Sequence, residues 1–109
     1  MEYSFTHNQC LAFAKILIEI MSADGEISED EWNLYAEIAD AFGLSKGDYL
    51  IASSLNLLDC LTELKNMPLK EKETIGVFMM GIVNADGIAS KEEMDLLIKV
   101  SDLTDIPLP

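Results

Sequence analysis

Three observations in the sequence predict an all-α fold: a compact bundle of about six to seven helices with an internal duplication. First, apolar residues recur at helical spacing through every long segment, and no segment sustains the alternation of a half-buried strand. Second, a stretch Ala23-Asp24-Gly25-Glu26-Ile27-Ser28-Glu29-Asp30-Glu31 returns as Ala85-Asp86-Gly87-Ile88-Ala89-Ser90-Lys91-Glu92-Glu93. Each copy of this A-D-G-x-x-S-x-x-E pattern lies between a strongly apolar segment and one of helical period. Third, the chain has 109 residues, half of them hydrophobic. That fits one domain, residues 1–109, able to bury roughly 65% of its unfolded surface.

The elements follow in order. Thr6 and Gln9 form a capping box ahead of a helix over residues 8–22. Leu11, Phe13, Ile16, Leu17, Ile18, Ile20 and Met21 make that helix apolar almost all round, so it belongs in a core. Lys15 and Glu19, at i,i+4, mark its expected wet stripe. The first Asp-Gly turn ends it, and Ser28 with Glu31 reads as a second capping box, opening a helix over residues 29–42. Trp32, Tyr35, Ala36, Ile38, Ala39 and Phe42 form its apolar side, and Gly43 ends it. Ser45 caps a third helix, to Ser53, with Tyr49, Leu50 and Ala52 expected inward. Leu57, Leu58, Leu61 and Leu64 read as a short fourth helix. Pro68 is expected at the first position of a fifth, whose opening turns carry Lys70, Glu71, Lys72 and Glu73 and whose second half reads as buried as the first helix. Its Gly76 and Gly81 predict close contact with another helix. After the second Asp-Gly turn, Ser90 and Glu93 read as a third box, and a sixth helix covers residues 91–102, with Met94, Leu97, Ile98 and either Ser101 or Leu103 inward. Pro107 and Pro109 end helix formation, and the tail Ile106-Pro107-Leu108-Pro109 is expected to fray. The repeat halves, about 8–43 and 69–104, imply a pseudo-two-fold with the two apolar helices at its centre and residues 45–66 bridging them.

Composition narrows the function. Seven lysines and no arginine face twenty acids, for a net charge of −13. Such a surface disfavours nucleic acid and anionic membranes and favours cations or basic protein surfaces. No stretch is long and apolar enough to span a bilayer. The N-terminal residues have no basic region ahead of an apolar core, so no secretory leader is expected and the expected compartment is the cytoplasm. Cys10 and Cys60, both within apolar helical patterns, read as buried free thiols. The single histidine, His7, reads as a surface residue. No Ser/His/Asp set, Cys/His pair or phosphate-binding glycine loop is present, so an enzyme is not expected.

The repeated turn has three readings. It does not fit an EF-hand loop: aligning Gly25 at the sixth position puts Ile20 at the first, where a ligand is needed, and aligning Gly87 puts Ile82 there. It can be a helix-capping device and nothing more. Or Asp24 and Glu31 can face Asp86 and Glu93 across the pseudo-dyad and hold a hard divalent cation such as Ca²⁺, Mg²⁺ or Mn²⁺. Residues 24–31 hold five acids and no base; in the second copy Ile88 and Lys91 replace two of them.

This order (apolar helix, A-D-G, x-x-S-x-x-E, amphipathic helix and Gly-Leu, then a second A-D-G-x-x-S-x-x-E near the C-terminus) resembles the TerB-like superfamily. That group includes the tellurite-resistance protein TerB and the N-terminal region of DjlA-type co-chaperones. The likeness runs from about Leu11 to Leu103. It implies a bundle of about seven helices and divalent-metal sites at the acidic turns, which fall here on Asp24, Glu31, Asp86 and Glu93. It also implies links to chemical-stress response, membrane-associated defence-like complexes and chaperone regulation, through modules that are not enzymes. Residues 1–109 hold no J-domain or membrane segment, so a DjlA-like co-chaperone role is not expected, and the poorer second turn makes a symmetric two-metal site unexpected. The expected function is a small acidic module for a protein partner, monomeric or weakly dimeric, with a divalent cation at its Asp-Gly turns. The alternative is a metal-ion sensor or buffer.

Overall fold

The computed structural model describes residues 5–87 and 89–109. Residues 1–4 and Ile88, on which the reading of the N-terminus and part of the second turn's weakness rest, lie outside them. Six α-helices form among the described residues: α1 (His7–Met21), α2 (Glu29–Ala41), α3 (Lys46–Ser53), α4 (Leu57–Lys65), α5 (Leu69–Val83) and α6 (Lys91–Thr104). No described residue lies in a strand. The fold is an all-α bundle, as the periodicity predicts.

Side-chain caps start most of these helices. Thr6 and Gln9 exchange bonds of 3.1 and 2.9 Å at α1. Ser28 and Glu31 do the same at α2. Asp48 accepts from the Ser45 N–H at α3, and Asn56 accepts from the Asp59 N–H at α4. Each bond satisfies a donor that the first helical turn leaves without an intrahelical partner. Pro68 sits at the N-cap of α5, with extended backbone, and not at the first helical position. Lacking a side-chain acceptor, it leaves that end uncapped by side chains.

Helix α1 is the hub, and all five other helices pack against it. It pairs with α5 as expected. Its contacts with α3 and α4 are more extensive, however, so residues 45–66 wall the core and do not merely bridge two halves. The expected wet stripe on α1 is corrected too. Lys15 is buried, its ammonium donating to the Ser53 carbonyl at 2.9 Å and pairing with Glu19 at 3.1 Å. A buried ammonium is tolerated because both its partners are in place. Phe5, Phe13, Phe42 and Phe78 close one end of the core with ring centroids 5.1 to 6.4 Å apart. Cys10 and Cys60 are buried and unbridged, and burial pushes both thiols up.

Several expected core positions face outward. Leu50 and Leu58 are each 71% exposed, and Leu69, Val77, Ile98 and Leu103 are exposed as well. The second half of α5 is therefore less buried than α1. Val77 lies two residues from both Ile75 and Met79, about 200° round the helix, and those two point fully into the core. An outer helix has only part of its circumference against neighbours, whatever its sequence offers.

The tail does not fray. Asp105 adopts φ 60°, which reverses the chain. The Ser101 hydroxyl then donates to the Ile106 carbonyl at 2.6 Å, and Ile106 enters the core. A Cβ at Gly76 would collide with the Pro107 backbone carbonyl. Gly76 thus makes room for the tail and not for a helix. Gly81 does meet a helix, with Leu34 of α2 at 3.6 Å from the position a Cβ would take.

Candidate metal centre

The two Asp-Gly turns share one backbone pattern. In the first, Ala23 N–H donates to Ile20 at 3.2 Å and Gly25 N–H to Ser22 at 3.0 Å. In the second, Ala85 donates to Ile82 at 3.2 Å and Gly87 to Asn84 at 3.0 Å. Gly25 and Gly87 take φ 87° and 81°, a region that side chains with a Cβ avoid. After each turn, a serine hydroxyl accepts from the glutamate N–H three residues on, at 3.1 Å in both copies.

These turns bring the four sequence-predicted acids to one place. Asp24, Glu31, Asp86 and Glu93 line a cavity of about 140 Å³, together with Glu26, Ile27 and Ser28. Asp24 uses one oxygen to accept from the Glu26 N–H at 3.1 Å, which fixes its turn. Glu31 and Glu93 are each only 3% exposed. Glu31 spends Oε1 on the Ser28 N–H, while Oε2 of both glutamates is buried with no hydrogen-bond partner. The expected capping box at Ser90 is only half made: Glu93 receives the serine's help through its N–H, but its carboxyl does not return the bond.

The carboxyl of Glu93 belongs to the cavity instead. Burial raises it, and so do the neighbouring Glu31 carboxyl and the charges of Asp24 and Asp86, so that it is pushed up to about 8. A carboxyl held that high is mostly protonated at neutral pH. Burying like charges without a proton or a cation between them would cost several kcal/mol.

The donor set suits a hard cation: five carboxylates and the Ser28 hydroxyl, with no histidine or thiol among the described lining residues. Among the described residues, no three acids stand close enough together to clasp one ion without moving. His7, the only histidine, is exposed, its Nε2 3.7 Å from Asp48.

A second cavity, of about 530 Å³, was not foreseen. It lies between α2 and α3 and is lined by Trp32, Tyr35, Ala36, Ala39, Leu44 and Tyr49, with Asn33, Asp40, Ser45 and Lys46. The signal for it was the width of the apolar arc on α2, more than one packed face can use.

No family model matches the chain, and no curated protein is similar to it. Among solved structures, it is similar to a protein of unknown function from Porphyromonas gingivalis. The TM-score is 0.83 at 19% identity, covering 98% of this chain and 90% of that one. At this identity the likeness shows the helical fold alone.

Proposed function

We propose that the chain is a small, non-enzymatic TerB-like module of the cytoplasm. It binds a protein partner, holds a divalent cation between its two Asp-Gly turns, and works in a stress-response setting. The observation that carries the cation half is the convergence of Asp24, Glu31, Asp86 and Glu93 on one cavity with two buried, unpartnered carboxylate oxygens. A bound Ca²⁺, Mg²⁺ or Mn²⁺ would supply the positive charge that a proton on Glu93 otherwise provides. Glu31 and Glu93 would be its deepest ligands and Asp24 and Asp86 its outer ones. The partner half rests on the surplus of acids over bases and on the large apolar side chains left exposed.

Amide-resolved NMR titration with Ca²⁺ and Mg²⁺ at physiological salt, on wild type and Asp24→Asn, tests the cation half. The expected result is saturable shifts confined to residues 22–32 and 84–94, lost in the variant. Diffuse, non-saturating shifts shared by both ions would reduce the turns to helix caps. A second reading, an ion sensor or buffer, takes its support from one observation: among the described residues no three acids stand close enough to clasp an ion, so binding one would draw them together. Backbone shifts reaching well into α2 and α6 on saturation would support it.

A further inference from the structure

The cavity between α2 and α3 is not used by the cation reading, and it has the makings of a docking site. Its floor is open because Ala36 and Ala39 are small, while Trp32, Tyr35 and Tyr49 form the wall at one end. Trp32 lies 5.7 Å from Tyr35 and 5.0 Å from Tyr49 between ring centroids, and it is 44% exposed. These three rings pack on one another, with Tyr35 and Tyr49 5.9 Å apart. Leu50, one turn beyond Lys46 on α3, is a further exposed apolar side chain. The volume, about 530 Å³, is enough for two or three large side chains.

Charge and backbone chemistry identify the occupant. Asp40 lines the groove, Glu29 lies one helical turn before Trp32, and Glu37 lies one turn beyond Asn33; all three are exposed. Lys46 is the only base among the lining residues. The rim is therefore acidic on a chain that is acidic overall, so an anionic membrane or an acidic peptide is repelled. Both walls are α-helices, whose backbone groups are already paired, so an extended peptide finds no edge to pair with. A helix, which satisfies its own backbone, needs only side-chain pockets.

We infer that the α2–α3 groove docks a basic amphipathic helix of a partner protein, its apolar residues seated on Ala36 and Ala39 beside Trp32 and its lysines or arginines facing Glu29, Glu37 and Asp40. The inference rests on the partner half of the proposed function and is independent of the cation half.

The test uses a synthetic helical peptide of leucine and lysine, with leucines at i, i+3, i+4 and i+7. A scrambled peptide of the same composition and a leucine–glutamate counterpart serve as comparisons. Trp32 is the only tryptophan, so its fluorescence reports binding at the groove, and amide shifts locate it. The expected result, in the presence of EDTA and at physiological salt, is saturable binding of the helical peptide. The scrambled and acidic peptides should bind at least about tenfold more weakly. Ala36→Leu fills the floor at an exposed helical position that tolerates leucine, and it should weaken the peptide about tenfold. Glu29→Lys should weaken it less and reduce its salt dependence.

Several outcomes would overturn the assignment. Equal binding of helical and scrambled peptides, or indifference to Ala36→Leu, would mean mere attraction to an acidic surface. No binding at all would also sink it. Tighter binding of the uncharged apolar probe N-phenyl-1-naphthylamine would make the groove a small-molecule site. Saturable peptide binding with shifts on another face would leave the partner reading intact and remove this groove from it.

Discussion

The two Asp-Gly turns have the same backbone and different carboxylates. Both run through a left-handed glycine and a serine cap with matching bond lengths. Yet Glu31 returns a bond to its serine, while Glu93 turns its carboxyl to the cavity and is pushed up to about 8. A glutamate at the third helical position has two possible uses, closing a capping box or serving a site. The copies divide them unequally: Glu31 puts one oxygen to each use, while Glu93 lines the cavity without closing its box.

The largest test of that division is ligand linkage. With a divalent cation at a hundredfold over its Kd, wild type should gain about 2.7 kcal/mol of stability. Chemical denaturation with and without EDTA measures it, and Asp24→Asn should lose most of the gain. No difference between the two conditions would leave both turns as caps.

Glu93→Gln and Glu31→Gln should then differ in sign when no cation is present. Removing the Glu93 charge relieves a buried like-charge contact and should stabilise the protein at pH 8 and above by about 1–2 kcal/mol. Glu31→Gln alters a made capping box and should be neutral or destabilising by about 0.5 kcal/mol. The pH dependence follows from the raised Glu93. Its folded pKa lies above its unfolded value, so its contribution is fully present below the ordinary carboxylate range and is lost as pH rises through about 8. Urea midpoints of the EDTA-treated protein between pH 5 and 9 should fall more steeply for wild type than for Glu93→Gln.

Gly25→Ala and Gly87→Ala should cost about the same, roughly 1–2 kcal/mol each, because the strain is in the backbone that the copies share. Thermal melts with EDTA compare them, and a twofold disparity would mean that the turns are less alike than their bonds. The smallest contrast is at the caps. Ser28→Ala and Ser90→Ala should each cost about 1 kcal/mol, with Ser28 the more costly because its box is complete.

Much of this was readable from the residues. The fold class, six helices and their approximate ends followed from apolar spacing and from Thr6, Ser28, Ser45 and Ser90, because caps and glycines act locally. The quartet was named because the same pattern occurs twice, and two copies of one turn invite a shared location. What resisted reading was set by partners distant in sequence. Lys15 looked wet, since nothing nearby announces the Ser53 carbonyl. Leu50, Val77 and Ile98 looked buried, since hydrophobicity does not say how much of a helix has a neighbour. The tail looked loose, since its anchor is an absence of side chain at Gly76. The groove was invisible for a related reason: Ala36 reads as core until the neighbouring helix is seen to stand away from it.

The position of α1 at the centre has a consequence for how the molecule opens. Five helices cover it, so its middle amides have no local route to water. Deuterium should reach the amides of Ile16 to Ile20 only when the whole bundle comes apart. Their exchange rates are therefore an internal gauge of global stability, against which faster opening at either acidic turn can be read in the same sample.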